Sequence, residues 1–113
     1  MNSINKVYSI HSEENFNDIL KKALTYNKIV FIKFTATWCV PFKKIEPYYQ
    51  KIAEYCSSCI FISVDIDKCN EIKNRFNIKS VPTFFVFKNN EFSELMIGTD
   101  TTKLYNEIKK QII

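Results

Sequence analysis

The sequence predicts an α/β fold in which a central mixed sheet carries helices on both faces. Segments rich in β-branched and aromatic residues alternate with segments whose apolar residues recur at helical spacing. The last two predicted strands follow each other directly across Asn89-Asn90, a good two-residue hairpin turn because asparagine tolerates positive φ. Alternation followed by a hairpin gives the order βαβαβαββα, which implies parallel strands joined to antiparallel ones.

The first half of the chain is predicted to hold two strands and two helices. Residues 6–10 read as a short strand, and residues 28–34 are apolar almost throughout, which is typical of a central strand covered on both faces. Ser12 is expected to cap the first helix and Asn27 to end it. The apolar face of this helix is predicted to comprise Phe16, Ile19, Leu20, Ala23 and Leu24.

The second helix is predicted over about residues 41–56, with Pro41 in its first turn and Pro47 as a kink. Its apolar face is predicted to comprise Phe42, Ile45, Tyr49, Ile52 and Ala53. A buried strand over residues 60–64 should run parallel to the strand at 28–34, because the intervening helix makes a right-handed crossover.

The remaining elements alternate in the same manner. A short helix should begin at Asp67 or Lys68 and end near Phe76, followed by strands over residues 84–88 and 91–97. Thr99 or Asp100 should cap a last helix. The inward residues of that helix are predicted to be Leu104, Ile108 and Ile112.

Composition narrows the class of protein. The chain has 113 residues, 46% of them hydrophobic, and we expect one domain over residues 1–113. The net charge is +4 without a tract of five like charges, so no nucleic-acid surface is expected, and no apolar run approaches the ~18 residues of a membrane span. The N-terminal residues lack a secretory pattern, which predicts a cytoplasmic protein, or an organellar one if a leader was removed.

Three stretches of the sequence carry a specific resemblance. Phe34-Thr-Ala-Thr-Trp-Cys-Val-Pro-Phe-Lys43 joins a predicted strand to a helix, Val81-Pro82-Thr83 precedes a strand, and Gly98 precedes the last helix. In this order they resemble the thioredoxin family, in which Trp-Cys-Gly-Pro-Cys-Lys is the usual active-site sequence. The resemblance covers roughly residues 6–113 and implies the thioredoxin fold, with Pro82 in the family's cis-proline loop.

Cys39 is the candidate nucleophile. It follows a buried strand and opens a helix, and the unpaired N–H groups and positive dipole of a helix N-terminus lower the pKa of a thiol. Trp38 would supply an apolar wall beside it. The alternative is a buried structural cysteine without chemistry, since cysteine is among the most buried residues.

Three positions depart from the family pattern. Position 42, where the family has its second cysteine, is Phe42, so no disulfide can form between positions 39 and 42. Lys33 stands where the family usually has a buried aspartate, thought to accept the proton of the second cysteine. Lys33 either favours the Cys39 thiolate or snorkels to water from the sheet edge. Val40 replaces a glycine and adds bulk beside the thiol.

The resemblance also assigns the substrate-binding groups. Val81, Pro82 and Thr83 correspond to the loop that lies against the active-site cysteine in the family. Backbone groups in that loop pair with an extended substrate segment, much as an added strand would. Because Pro82 is present although the second thiol is missing, substrate or partner binding is expected to persist.

Three further cysteines are candidates for secondary redox chemistry. Cys56 and Cys59 form a Cys-x-x-Cys at the far end of the second helix, where they are either incidental thiols or a surface disulfide under oxidation. With the lone His11 they do not complete a zinc site, so no metal is expected. Cys69 should lie at the same sheet edge as Cys39, either as a helix-start residue or as a site of oxidation.

Two functions remain open from the sequence. One is a monothiol oxidoreductase in which Cys39 attacks a protein disulfide or a glutathione mixed disulfide, and glutathione or a partner thiol releases it, with no other cofactor. The other is a non-catalytic binding module of the same fold. The intact Trp38, Cys39 and Pro82 favour the first, whereas Lys33, Val40 and Phe42 favour the second.

Overall fold

The computed structural model describes residues 6–38 and 42–113, which form five strands and four helices. In chain order the elements are β1 (Val7–Ile10), α1 (Glu13–Thr25), β2 (Val30–Thr35), α2 (Phe42–Tyr55), β3 (Ile60–Asp65), α3 (Asn70–Phe76), β4 (Thr83–Lys88), β5 (Glu91–Ile97) and α4 (Thr101–Ile112). Within these residues, no helix combines the length and the apolar character that crossing a membrane requires.

The strands form one mixed sheet in the order β1-β3-β2-β4-β5. β1 and β2 both run parallel to β3, β4 is antiparallel to β2, and β5 is antiparallel to β4. β2 therefore lies at the centre, and all six of its residues are buried. The predicted mixed sheet with a central second strand is confirmed. Its pairing places Thr35, at the end of β2, opposite Asp65, and Phe34 opposite Thr83 at the start of β4.

Helices cover both faces of the sheet. On one face, rings of α1, α3 and the strands pack with centroids 4.8–6.4 Å apart. These rings belong to Phe16, Phe34, Phe76, Phe85 and Phe92. On the other face, Tyr49 of α2 packs its ring against Phe61 and Phe84 at 5.6 and 5.5 Å. Aromatic packing of this kind stabilises the sheet from both sides.

Tyr49 also binds the sheet through its polar end. Its ring is buried, with 1% of the residue exposed, and its hydroxyl lies 3.0 Å from the carbonyl oxygens of both Phe31 and Ile62. The single hydroxyl hydrogen can be donated to either oxygen. Tyr49 thus links α2 to β2 and β3 together, in the middle of the core.

Side chains rather than glycines end most of the helices and turns. Ser12 Oγ accepts from the Asn15 N–H at 3.0 Å and Asp100 Oδ1 accepts from the Lys103 N–H at 3.0 Å, so both predicted N-caps are confirmed. Asparagines take the left-handed conformation after α1, after α3 and at both positions of the β4–β5 turn; they are Asn27, Asn77, Asn89 and Asn90. Asparagine adopts this region more readily than most residues, which suits a chain with one glycine.

The structure corrects three expectations about the helices, and a fourth concerns a residue that it does not describe. α3 begins at Asn70, later than predicted, because the Asp65 carboxylate accepts from the N–H groups of Asp67 and Lys68 and holds them in a turn. Leu24 and Ile112 are 49% and 42% exposed, so neither belongs to the core. α2 is described from Phe42 onward, and Pro41 lies outside the described residues.

Candidate functional site

The candidate site lies at the end of the sheet where β2 finishes and β4 starts. β2 ends at Thr35, and Trp38 is the last described residue before the gap, with 66% of its surface exposed. The predicted nucleophile Cys39 lies outside the described residues, as does Val40, and the side chain of Phe42 is not described. Cys39 precedes Phe42, the first residue of α2, by three positions in the sequence.

The first turn of α2 is electrostatically positive. It contains no acidic residue, and the exposed side chains of Lys43 and Lys44 add two cations to the positive end of the helix dipole. Glu46 is the first carboxylate along the helix. An anion just before α2 is therefore stabilised, which is the condition that a thiolate needs.

The loop before β4 is held by hydrogen bonds from Thr83 and from Gly98. The Val81–Pro82 peptide bond is cis, Pro82 and Thr83 are buried, and Val81 is half-buried. Thr83 Oγ1 donates to the Ser80 carbonyl at 2.6 Å, and the Gly98 N–H donates to the Pro82 carbonyl at 2.9 Å. Because Thr83 pairs with Phe34, this loop lies at the same end of the sheet as the residues that lead to Trp38.

Gly98 has a structural reason for its identity. Its φ is 108°, a region that residues with a Cβ atom rarely adopt, although no atom lies within 4 Å of the place where a Cβ would be. This conformation turns the chain from β5 towards α4 and directs the Gly98 N–H at the Pro82 carbonyl. The sequence marked both residues, but their contact across sixteen positions carried no sequence signal.

Lys33 does not snorkel from a sheet edge, because β2 is the central strand and only 2% of Lys33 is exposed. Its Nζ lies 5.3 Å from the centroid of the Tyr49 ring, within range of a cation–π contact. It lines a cavity of about 430 Å³ together with Glu46 and Gln50 of α2. Burial lowers the pKa of the Lys33 ammonium, and the negative charge of Glu46 raises it by a smaller amount. Its predicted influence on Cys39 stays a prediction.

We expect Lys33→Met to raise the free energy of unfolding by about 1–2 kcal/mol at pH 7, because the variant removes the cost of burying a charge. The pKa of Lys33 in the folded protein lies below its ordinary value of 10.5. Between these two values the unfolded chain binds more protons than the folded one, so the free energy of unfolding of wild type rises with pH. The difference between the proteins should therefore shrink as the pH rises towards 10.5. Urea unfolding at several pH values measures it.

Lys44→Met is the matched control, since Lys44 is exposed on α2 and its loss should change stability by less than about 0.5 kcal/mol. A Lys33→Met protein that is less stable than wild type at pH 7 would show that the contacts of the ammonium outweigh its desolvation.

The three described cysteines are thiols, and no disulfide joins them in this part of the chain. Cys69 occupies the N-cap position of α3, 3% exposed, and its Sγ donates to the Ile10 carbonyl at 3.7 Å. Burial and the negative charges of Asp65 and Glu71 raise its pKa. Cys69 is therefore a packed helix-start residue in this conformation, in agreement with the first of its two interpretations.

Cys56 and Cys59 lie together at the other end of the sheet. Cys56 is half-buried just after α2, and Cys59 is 3% exposed just before β3. Burial, and next the hydrogen bond and charge of Cys56, raise the pKa of Cys59 to about 12. Among the described side chains, no group of three or more His, Cys, Asp or Glu is placed to hold a metal ion.

Comparisons with a family model, with related sequences and with solved structures agree with the fold described above. Residues 7–110 match the family model described as Thioredoxin. The chain is 33% identical to "Thioredoxin 1" of Plasmodium falciparum over 101 residues, which cover 89% of this chain and 93% of that protein. A solved structure of a poplar wild-type thioredoxin h superposes with a TM-score of 0.89 at 30% identity, covering 95% of this chain and 96% of that one.

Longer relatives also match, and the chain spans less than two thirds of the length of the following two. It is 32% identical over 99 residues to "Putative thioredoxin H10" of Arabidopsis thaliana, covering 88% of this chain and 64% of that protein. It is 34% identical over 102 residues to a rice "TPR repeat-containing thioredoxin TDX", covering 90% of this chain and 32% of that protein.

Proposed function

This chain belongs to the thioredoxin family, and from that premise we propose that it exchanges thiols and disulfides through the single thiol of Cys39. The observation that carries the proposal is the Pro82 loop. It is held by Gly98 and lies at the end of β2, because Thr83 pairs with Phe34, and we propose that a substrate segment binds along it.

The reaction has two steps. The Cys39 thiolate attacks one sulfur of a disulfide, a new S–S bond forms to Cys39, and the other sulfur leaves as a thiolate. A second thiolate then attacks the mixed disulfide and releases Cys39 as a thiolate again. Position 42 is Phe42, so this second thiol comes from glutathione or from a partner protein.

The described cysteines are poorly placed to replace the missing thiol. Cys69 is buried and donates to a backbone carbonyl. Cys59 lies just before the first residue of β3. The segment that contains Cys39 follows Thr35, and Thr35 pairs with Asp65 at the other end of β3. Five residue steps along that strand amount to roughly 17 Å.

The proposed partners follow from this chemistry. Proteins with an accessible disulfide, or glutathione mixed disulfides, would bind in extended form along Val81, Pro82 and Thr83, with Trp38 as an apolar neighbour. Trp38 exposes 66% of its surface and is available for such a contact. Glutathione serves as the reductant, no other cofactor is invoked, and the proposed location is the cytoplasm.

The pH dependence of Cys39 alkylation tests the proposal. Iodoacetamide is applied to the wild-type protein from pH 5 to pH 10, the chain is digested with trypsin, and the peptide over residues 34–43 is quantified, since Cys39 is its single cysteine. We expect an apparent pKa at or below about 7, against about 8.5 for a free thiol. The peptide over residues 69–73 reports Cys69, which should react slowly because it is buried.

An apparent pKa of about 8.5 or above for Cys39 in the folded protein would overturn the exchange function and favour the second candidate, a non-catalytic binding module. The binding module is favoured by two replacements: Phe42 stands in place of the second cysteine, and Lys33, which is buried in the core, stands in place of the usual aspartate. Under that function the Cys39→Ser protein binds its partner peptides as tightly as wild type does.

A further inference from the structure

The turn between α2 and β3 holds a pair of cysteines that the proposed function does not use. Cys56 follows the last residue of α2, and Cys59 precedes the first residue of β3. They lie at the end of the sheet opposite to the Pro82 loop, since Ile60 pairs with Val30 at the beginning of β2. Any chemistry of this pair is therefore separate from that of Cys39.

The backbone of this turn brings the two cysteines into the range that a disulfide can span. The Cys59 N–H donates to the Cys56 carbonyl at 3.2 Å, which closes a four-residue turn. Such turns hold their first and last Cα atoms within about 7 Å, and disulfides span Cα separations of about 4.4–6.8 Å. The backbone needs little movement for the two sulfurs to bond.

The side chains already meet within the turn. The Cys56 thiol is near enough to raise the pKa of the Cys59 thiol, after the larger effect of burial. Ser58 Oγ lies 4.0 Å from the sulfur of Cys56 and 3.8 Å from that of Cys59, so the hydroxyl stands beside both. Both sulfurs thus lie close to the same hydroxyl in one turn.

The two thiols differ in access, which sets the order of events. Cys56 is half-buried and lines an apolar cavity of about 600 Å³ between α2 and α4, beside Tyr48, Tyr55 and Tyr105. Cys59 is 3% exposed, and burial is the main reason for its raised pKa. An oxidant from solution therefore meets Cys56 first, and Cys59 is the thiol that closes the bond.

We propose that Cys56 and Cys59 are a second redox site, a dithiol that small disulfides such as oxidised glutathione convert into an intramolecular disulfide. The Cys56 thiolate attacks oxidised glutathione, forms a mixed disulfide and releases one glutathione. Cys59 loses its proton to solvent and attacks the Cys56 sulfur, which releases the second glutathione. The dithiol loses two electrons and two protons, and one glutathione disulfide becomes two thiols.

The test uses the full chain with Cys39→Ser and oxidised glutathione at pH 8, followed by alkylation and trypsin. The peptide over residues 52–68 contains both cysteines of the site, and Cys69 lies alone in the peptide over residues 69–73. We expect the first peptide to lose two hydrogens and to resist alkylation, while Cys69 remains alkylated. The wild-type protein should give the same result, with Cys39 reported on its own peptide.

Cys59→Ser is the matched variant, because Cys56 then has no partner thiol and should accumulate as a glutathione adduct. A wild-type peptide over residues 52–68 that carries glutathione and never closes, or that stays fully alkylated after oxidation, would overturn the proposal. The outcome is independent of the alkylation of Cys39, so this site and the proposed function can fail separately.

Discussion

In a single-turnover assay, the pre-reduced Phe42→Cys protein is expected to release reduced product without glutathione and to end as an intramolecular disulfide, whereas wild type releases product in proportion to the glutathione supplied. The introduced thiol stands three residues after Cys39 and attacks the mixed disulfide within the molecule. An intramolecular thiol acts at an effective concentration far above millimolar glutathione, so release of product should quicken at least about tenfold. The proteins are pre-reduced and freed of reductant, mixed with insulin in the presence or absence of glutathione, and the amount of released insulin chain over time measures the change.

Phe42→Ser is the matched control because it removes the aromatic ring without adding a thiol. If Phe42 merely replaces the second cysteine, the serine variant should keep the glutathione dependence of wild type. Equal gains in the serine and cysteine variants would contradict the monothiol mechanism, since the wild-type protein would then be limited by the bulk of the ring and not by a missing thiol.

Tyr49→Ala should lower the free energy of unfolding by about 3–5 kcal/mol, the usual cost of truncating a large buried aromatic residue. The ring packs against Phe61 and Phe84, and its hydroxyl contacts two backbone carbonyls in the centre of the sheet. Tyr49→Phe keeps the ring and should lose about 1 kcal/mol, the contribution of one hydrogen bond. Urea unfolding followed by circular dichroism separates the two contributions.

Tyr48→Ala controls for the change of residue type on the same helix, since Tyr48 is 54% exposed and should cost less than about 0.5 kcal/mol. A Tyr49→Phe protein as unstable as Tyr49→Ala would mean that the hydroxyl contacts, not ring packing, hold α2 on the sheet.

The elements that could be predicted are those whose signals are local. Ser12 and Asp100 accept from backbone N–H groups three residues later, and the asparagines at turns adopt positive φ themselves, so a short stretch of sequence contains each signal. The buried strands were recognisable from apolar runs, and β2 occupies the centre of the sheet as its apolar character predicts. The caps, turns and buried strands could therefore be predicted from residues that lie a few positions apart.

What could not be predicted depends on strand order and on contacts between distant segments. One of the two alternatives for Lys33 was that it reaches water, as lysine usually does, yet β2 is the central strand and Lys33 is buried with its Nζ over the Tyr49 ring. The Gly98–Pro82 hydrogen bond likewise joins two segments that are sixteen positions apart in the sequence. Leu24 and Ile112 follow helical spacing, yet both are exposed near the C-terminal ends of their helices.

The last strand of the sheet has a consequence for solubility at high concentration. The pairing of β5 with β4 skips Leu95, because Phe84 pairs with Met96 and Phe85 with Glu94, and such a bulge bends and twists an edge strand. Glu91 and Glu94 are exposed on the same strand. A second copy that paired along β5 would meet a twisted edge and a pair of like charges, so this edge of the sheet is protected from edge-to-edge aggregation.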